Sequence, residues 1–182
     1  MRLIIFLLSL LIVPGRNLFS QSEENGKGKG FGGFSFVNTA LAGVWAIEAG
    51  GVGGGLINER VYIGGGGFGI SQRKGKYEYD MGYGGLVLGY YWEKGEKTAL
   101  DFYLLGGLGG IEEDGGGIEK NGDSFWVIRP AAEIGFYLTD WMRLGVGGGY
   151  RCILGEDIST LNKGDLSAPF GCITFRFGSW GK

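Results

Sequence analysis

The stretch FWVIRPAAEIGFYL, residues 125–138, alternates from end to end. Trp126, Ile128, Pro130, Ala132, Ile134, Phe136 and Leu138 fall on one face, and Val127, Arg129, Ala131, Glu133, Gly135 and Tyr137 on the other. A period of two is that of a β-strand. The next segment repeats it. Leu144, Val146, Tyr150, Cys152 and Leu154 oppose Arg143, Gly145, Gly147, Gly149 and Arg151, and near the end Ile173, Phe175 and Phe177 oppose Thr174 and Arg176. A soluble sheet turns its apolar face inward, whereas a membrane barrel turns it to lipid and lines its interior with the polar face. Alternation by itself fits both.

Working outward, the chain reads as eight such segments: 31–39, 44–57, 60–71, 77–92, 98–112, 124–138, 142–154 and 166–178. No stretch shows a helical period, and glycine at this density (41 of 182 residues) disfavours helices. Short joints (Asn58-Glu59, EKGEK, TDW) alternate with longer charged ones (QRKGK, EDGGGIEKNGD, GEDISTLNKGD), the first joint near Ala40–Gly43 being a short exception. Short periplasmic turns and long extracellular loops are the habit of outer-membrane barrels. The expected fold is therefore an all-β, eight-stranded antiparallel up-and-down transmembrane β-barrel.

The N-terminus supports export. MRLIIFLLSLLIVPGRNLFSQS carries Arg2, an apolar run from Leu3 to Val13, a break at Pro14-Gly15 and small Ser20. This is the layout of a secretory signal peptide, too short in its apolar part to span a bilayer. The expected organisation is a signal peptide over 1–20, a flexible polar lead-in over 21–30 and a barrel domain over 31–182, with an outer-membrane address. Removing Arg2 and Arg16 leaves 15 basic against 19 acidic side chains, which gives no footprint for nucleic acid.

VYIGGGGFGI, residues 61–70, matches G-x-G-x-x-G at Gly64, Gly66 and Gly69. The dinucleotide motif needs a helix straight after the glycines. SQRKGKYEYD follows instead, with no helical period, and the same spacing recurs at Gly28, Gly30 and Gly33 without a strand before it. The glycines read as mid-strand positions where strands pass closely.

Parity assigns Glu48, Asp101, Arg129, Glu133, Arg143, Arg151 and Arg176 to the lumen. Charges in a narrow lumen must be paired. The expectation is an ion-pair network centred on Glu133 with Arg143 and Arg151, with Gly147 leaving room opposite Glu133. Trp92, Trp141, Trp180, Tyr90 and Phe177 fall near the short-turn end, and Trp45, Trp126 and Tyr150 near the long-loop end. Two aromatic belts are expected at the two headgroup levels, with Phe175 beside Phe177 in the terminal strand.

On these residues the chain resembles small bacterial outer-membrane barrels of the OmpA/OmpX-like type. The hairpin EIGFYLTDWMRLGVGGGYR (133–151) is similar to their penultimate hairpin, and LVLGYYWEKGEKTALDFYLLGGLG (86–109) to the one before it. FGCITFRFG (170–178) resembles their terminal insertion signal, although five residues follow Phe177. The resemblance implies outer-membrane lipid and, during insertion, the barrel-assembly machinery as partners.

Chemistry is sparse. Enzymes among small outer-membrane barrels use histidine, and this chain has none. Its serines have no base at a recognisable spacing. Two scattered cysteines and a loop, EEDGGGIEKNGD, without the calcium-loop spacing give no metal site. No catalytic, cofactor-binding or metal-ligating residue is assigned, and no cofactor is expected. Cys152 faces the lipid side and Cys172 the lumen, so two free thiols are expected. The sequence reads as a non-enzymatic outer-membrane barrel with a structural role, or with a surface ligand or protein at its loops. A narrow solute channel and a soluble lipocalin-like carrier of an apolar ligand are the alternatives.

Overall fold

The computed structural model describes residues 29–58, 60–75, 77–95, 97–114, 121–155 and 165–178. The signal peptide, most of the lead-in, Trp180 and the middles of the two longest loops lie outside the described residues. Eight strands, β1 (Gly30–Leu41), β2 (Val44–Leu56), β3 (Val61–Lys74), β4 (Tyr77–Lys94), β5 (Thr98–Asp114), β6 (Asn121–Tyr137), β7 (Met142–Leu154) and β8 (Ala168–Gly178), pair in sequence order. Every pair is antiparallel, and β1 closes on β8 to complete a barrel. Closure leaves no sheet edge, which a barrel in lipid requires. The described residues form no helix.

The barrel is inverted relative to a soluble protein. Trp45, Ile47 and Leu86 are 73 %, 70 % and 72 % exposed on the outer face, as are Phe36, Leu108, Trp126 and Ile134 to lesser degrees. The inner face buries Glu48, Asp101, Arg129, Glu133, Arg143, Arg151 and Arg176, each at 3 % exposure or less. An apolar exterior around a charged interior is stable only where the exterior meets hydrocarbon. A lipocalin-like carrier needs an open apolar cavity inside, and this lumen is packed with charged side chains set among apolar and aromatic ones.

At the turn end, Asn58 folds back so that its Oδ1 accepts from the Arg60 and Val61 amides at 2.9 and 2.7 Å, fixing the β2–β3 reversal. At the loop end, the strands run further than polarity suggests. The β3–β4 ladder continues to Lys74↔Tyr77, so QRKGK is mostly strand rather than loop, with Gly75 at φ 65° entering the turn. Arg73 and Glu78 pair across it at 3.1 Å. The β5–β6 ladder likewise reaches Glu113↔Asn121. Polar side chains mark where a strand leaves the apolar layer, not where its backbone pairing stops.

Close approach explains glycine at Gly147, which stands directly opposite Glu133 in the β6–β7 ladder. A Cβ built there would overlap the Ala132 carbonyl and lie 2.6 Å from Glu133 Cα. Gly106, on the outer face of β5, has nothing within 4 Å of such an atom. Gly147→Ala should therefore lower unfolding free energy by about 1–3 kcal/mol, and Gly106→Ala by less than about 0.5 kcal/mol. Urea titration of the barrel in lipid vesicles, followed by tryptophan fluorescence, checks the contrast.

Candidate functional site

The lumen is the one place where the fold concentrates chemistry. Its charged residues stand in like-charge rows along the wall. Asp101 of β5 is directly opposite Glu133 of β6, and Arg143 of β7 is directly opposite Arg176 of β8. Like charges opposite one another destabilise a ladder. Here the acid row and the base row face each other across the barrel. Arg143 Nη2 reaches Asp101 Oδ2 at 2.8 Å, Arg176 Nη1 bonds the same oxygen, and Arg176 Nη2 reaches Glu133 Oε2 at 3.1 Å.

Nearer the loop end, Glu48 of β2 is the acid. Arg151 Nη1 donates to its Oε2 at 2.5 Å, and Arg129 Nη2 stands 3.7 Å from its Oε1. The Arg129 guanidinium lies between the Phe68 and Phe170 rings, 3.9 Å from each centroid. Two ring faces are a favourable seat for a desolvated cation. Arg129 Nη1 donates to Tyr103 Oη, which donates in turn to Glu133 Oε1, both at 3.1 Å. All seven charged side chains, with Tyr103 as a link, thus join into one chain of contacts: Arg143, Asp101, Arg176, Glu133, Tyr103, Arg129, Glu48 and Arg151.

The pairing differs from a network centred on Glu133 with Arg143 and Arg151. Arg143 pairs with Asp101 and Arg151 with Glu48, while Glu133 takes Arg176 together with the Tyr103, Thr174 and Cys172 side chains. Neighbours in a ladder share a row, and strand tilt carries the facing partner to another strand. Hydroxyl side chains complete the lumen, and of these only Thr174 is set on the polar face by sequence. Tyr62 donates to Asp101 at 2.7 Å, Tyr83 donates to Glu48 at 2.8 Å, and Ser35 and Thr174 share a bond of 2.8 Å. Thr174 shares the parity of Arg176 in β8, whereas β1, β3 and β4 carry none of the seven charged residues to set a parity for Ser35, Tyr62 and Tyr83.

Glu48, Asp101 and Glu133 therefore each have cationic and hydroxyl partners, and all three are buried, with a fourth buried acid, Glu113 of β5, further toward the loop end. Such a set can hold a wall together; it offers no open carboxylate to a substrate. Among the described residues no group of acids or cysteines is placed to hold a metal ion. Cys152 is half-buried on the outer side and Cys172 is buried inside. On the outer face, Trp45, Trp126 and Tyr150 lie toward the loop end, and Trp92 and Trp141 toward the turn end. Trp141 stacks on Phe177 at 5.9 Å, and Phe34 stacks on Phe175 at 5.2 Å and on Phe177 at 5.9 Å.

An apolar outer face, a closed eight-strand ladder and a charged, filled lumen define a transmembrane β-barrel of the outer-membrane type. Solved structures agree. The chain superposes on Neisserial surface protein A, NspA, with a TM-score of 0.66 at 11 % identity, covering 85 % of this chain and 99 % of that one. It matches Ail, the attachment invasion locus protein of Yersinia pestis, solved with the heparin analogue sucrose octasulfate, with a TM-score of 0.54 at 12 % identity over 83 % and 97 % of the two chains. Outer membrane protein H, OprH, of P. aeruginosa gives 0.54 at 14 % identity over 82 % and 99 %. At these identities the likeness is one of fold. No protein-family model matches the chain, and no curated protein does.

Removing one member of a buried pair strands its partners without a counter-charge, at a cost of about 3–5 kcal/mol. Glu48→Gln, which leaves Arg151 and Arg129 short of an anion, should lower stability in that range. Arg73→Ala, which breaks a pair 74 % and 45 % exposed, should change it by less than about 1 kcal/mol. Parallel urea titrations in one lipid system test both.

Proposed function

We propose that this protein is a non-enzymatic, integral outer-membrane barrel of a Gram-negative-type cell, exported by its N-terminal signal peptide. Its role is structural or is exercised through its loop end. The inversion of the barrel carries the reading: twenty or more large apolar side chains cover the outside while the charges lie inside. Orientation follows the usual rule, with the β2–β3, β4–β5 and β6–β7 turns periplasmic and the remaining connections outside the cell. Outer-membrane lipid is then the main partner. Phe175 and Phe177 in the last strand support recognition by the assembly machinery.

The lumen speaks against conduction, because Arg129 between two rings and the paired acids occupy its cross-section. The absence of histidine and the engagement of Glu48, Asp101 and Glu133 by arginine speak against catalysis. Ail was solved with a polysulfated sugar. The described loop-end strands of this chain carry Glu78, Asp80, Glu112, Glu113, Asp114 and Asp123 against Arg73 and Lys74. That balance suits a neutral or cationic surface ligand better than a polyanion.

Two measurements test the proposal. The protein should stay with membranes through high-salt and alkaline washes and leave only with detergent; release by salt alone would defeat the membrane assignment. In planar bilayers the purified barrel should show no reproducible conductance step, and a regular step would favour the channel instead.

A further inference from the structure

The tip of the β1–β2 hairpin is built differently from the other ladders. The two strands pair with each other up to Leu41↔Val44. Their pairing with the rest of the barrel stops earlier on both sides. The β1–β8 ladder ends at Asn38↔Gly171, although both strands continue. The β2–β3 ladder ends at Glu48↔Ile70, although β2 begins at Val44 and β3 runs to Lys74. Residues 39–47 therefore stand free of the wall's backbone pairing.

On the β8 side the cause is in the sequence. Continued in register, the ladder would set Pro169 against Ala40, and proline has no N–H to give. Side chains substitute for the missing bonds. Arg151 Nη2 donates to the Ala40 carbonyl at 2.7 Å, and the Thr39 hydroxyl donates to the Pro169 carbonyl at 3.1 Å. From the β3 side, Lys74 Nζ donates to the Ala42 carbonyl at 2.7 Å. Arg151 Nε also holds the Leu166 carbonyl at 2.9 Å, where the chain enters β8.

One side of the tip is buried at the loop-side mouth. Leu41, Ala42 and Leu166 have no exposed surface, and Ala46 is buried, whereas Trp45 and Ile47 point outward. The turn itself places Ala42 at φ 53° and Gly43 at φ 77°. A non-glycine residue in that region is strained and is held there by its surroundings. An apolar underside, a strained turn and fastening by side chains alone are the parts of a closing flap.

We propose that residues 39–47 form a lid over the loop-side mouth of the lumen, fastened by Lys74 and Arg151 and able to open while the barrel below stays intact. Opening would bring the Glu48–Arg151 pair to solvent. The lid belongs to the barrel itself and does not depend on the role proposed above.

Residue-resolved amide hydrogen exchange of the mature protein in detergent micelles tests it. In the unaltered protein, amides of the tip should exchange faster than those of Ser35–Val37 in the same hairpin. Lys74→Met removes a fastening at the rim and should raise exchange in residues 39–47 roughly tenfold, the equivalent of one charged hydrogen bond. Exchange at Val87 and Leu105 in the β4–β5 ladder should not change. Arg151→Met should act in the same place and more strongly; if it fails to fold, the Lys74 variant and the unaltered protein carry the test. Tip amides as slow as Ser35–Val37, or a Lys74→Met variant with unchanged tip exchange, would overturn the lid. A variant that speeds exchange evenly around the barrel would overturn it as well.

Discussion

Asp101, Glu133 and Glu48 hold four buried guanidinium groups inside a closed tube, and the rest of the wall is arranged around that requirement. An eight-stranded barrel encloses a lumen about as wide as the side chains that fill it. Charges in such a space cannot be screened, so each must meet its opposite directly. The wall sets acid beside acid and base beside base. Curling of β5 to β8 brings Asp101 and Glu133 to Arg143 and Arg176, and closure at the β1–β8 seam brings Glu48 of β2 to Arg151 of β7. The network thus rewards the closed form specifically. It also penalises register slips, because a shift of one residue would turn these side chains into lipid and the apolar face inward.

The same logic runs through the backbone. In hydrocarbon every N–H and C=O must find a partner in the ladder. Two prolines break that rule, on seams separated by the β7–β8 ladder. Pro130 interrupts the β6–β7 ladder between Ile128↔Cys152 and Ala131↔Gly149. Pro169 stands where the β1–β8 ladder stops. At the second seam the lumen repairs the wall, for the Arg151 guanidinium supplies to Ala40 the donor that Pro169 lacks. One side chain therefore serves both the ion pair with Glu48 and the backbone of the first strand.

Alternation in FWVIRPAAEIGFYL was enough to sort side chains into two sets, and the seven charged residues all lie in the buried set. Period-two parity is a local property, set by the pleat alone, so a single strand displays it. Partnership is not local. Glu133 meets Arg176 rather than Arg151 because strand tilt shifts facing rows by several residues, and no one strand encodes that shift. The tyrosines escaped for a different reason. Tyr62, Tyr83 and Tyr103 are amphipathic, and on sequence they fit a headgroup belt as well as a lumen; only the acids beneath their hydroxyls decide. Strand ends at the loop side were misjudged because Gln72, Arg73 and Lys74 were read by polarity, while their backbones pair on past the apolar layer.

VYIGGGGFGI shows how far context governs a motif. A loop that cradles phosphate must offer backbone N–H groups that no other part of the protein is using. Gly64, Gly66 and Gly69 sit in β3, paired with Gly54, Val52 and Ala49 of β2 and with Val87, Gly85 and Gly82 of β4. Pairing on both sides consumes the donors that a phosphate would need. What the glycines supply is space. A Cβ built on Gly64 would overlap the backbone of Gly53 and lie 2.6 Å from Gly54 Cα. With glycine on both strands, the β2–β3 seam is free of side chains that would collide where the wall bends.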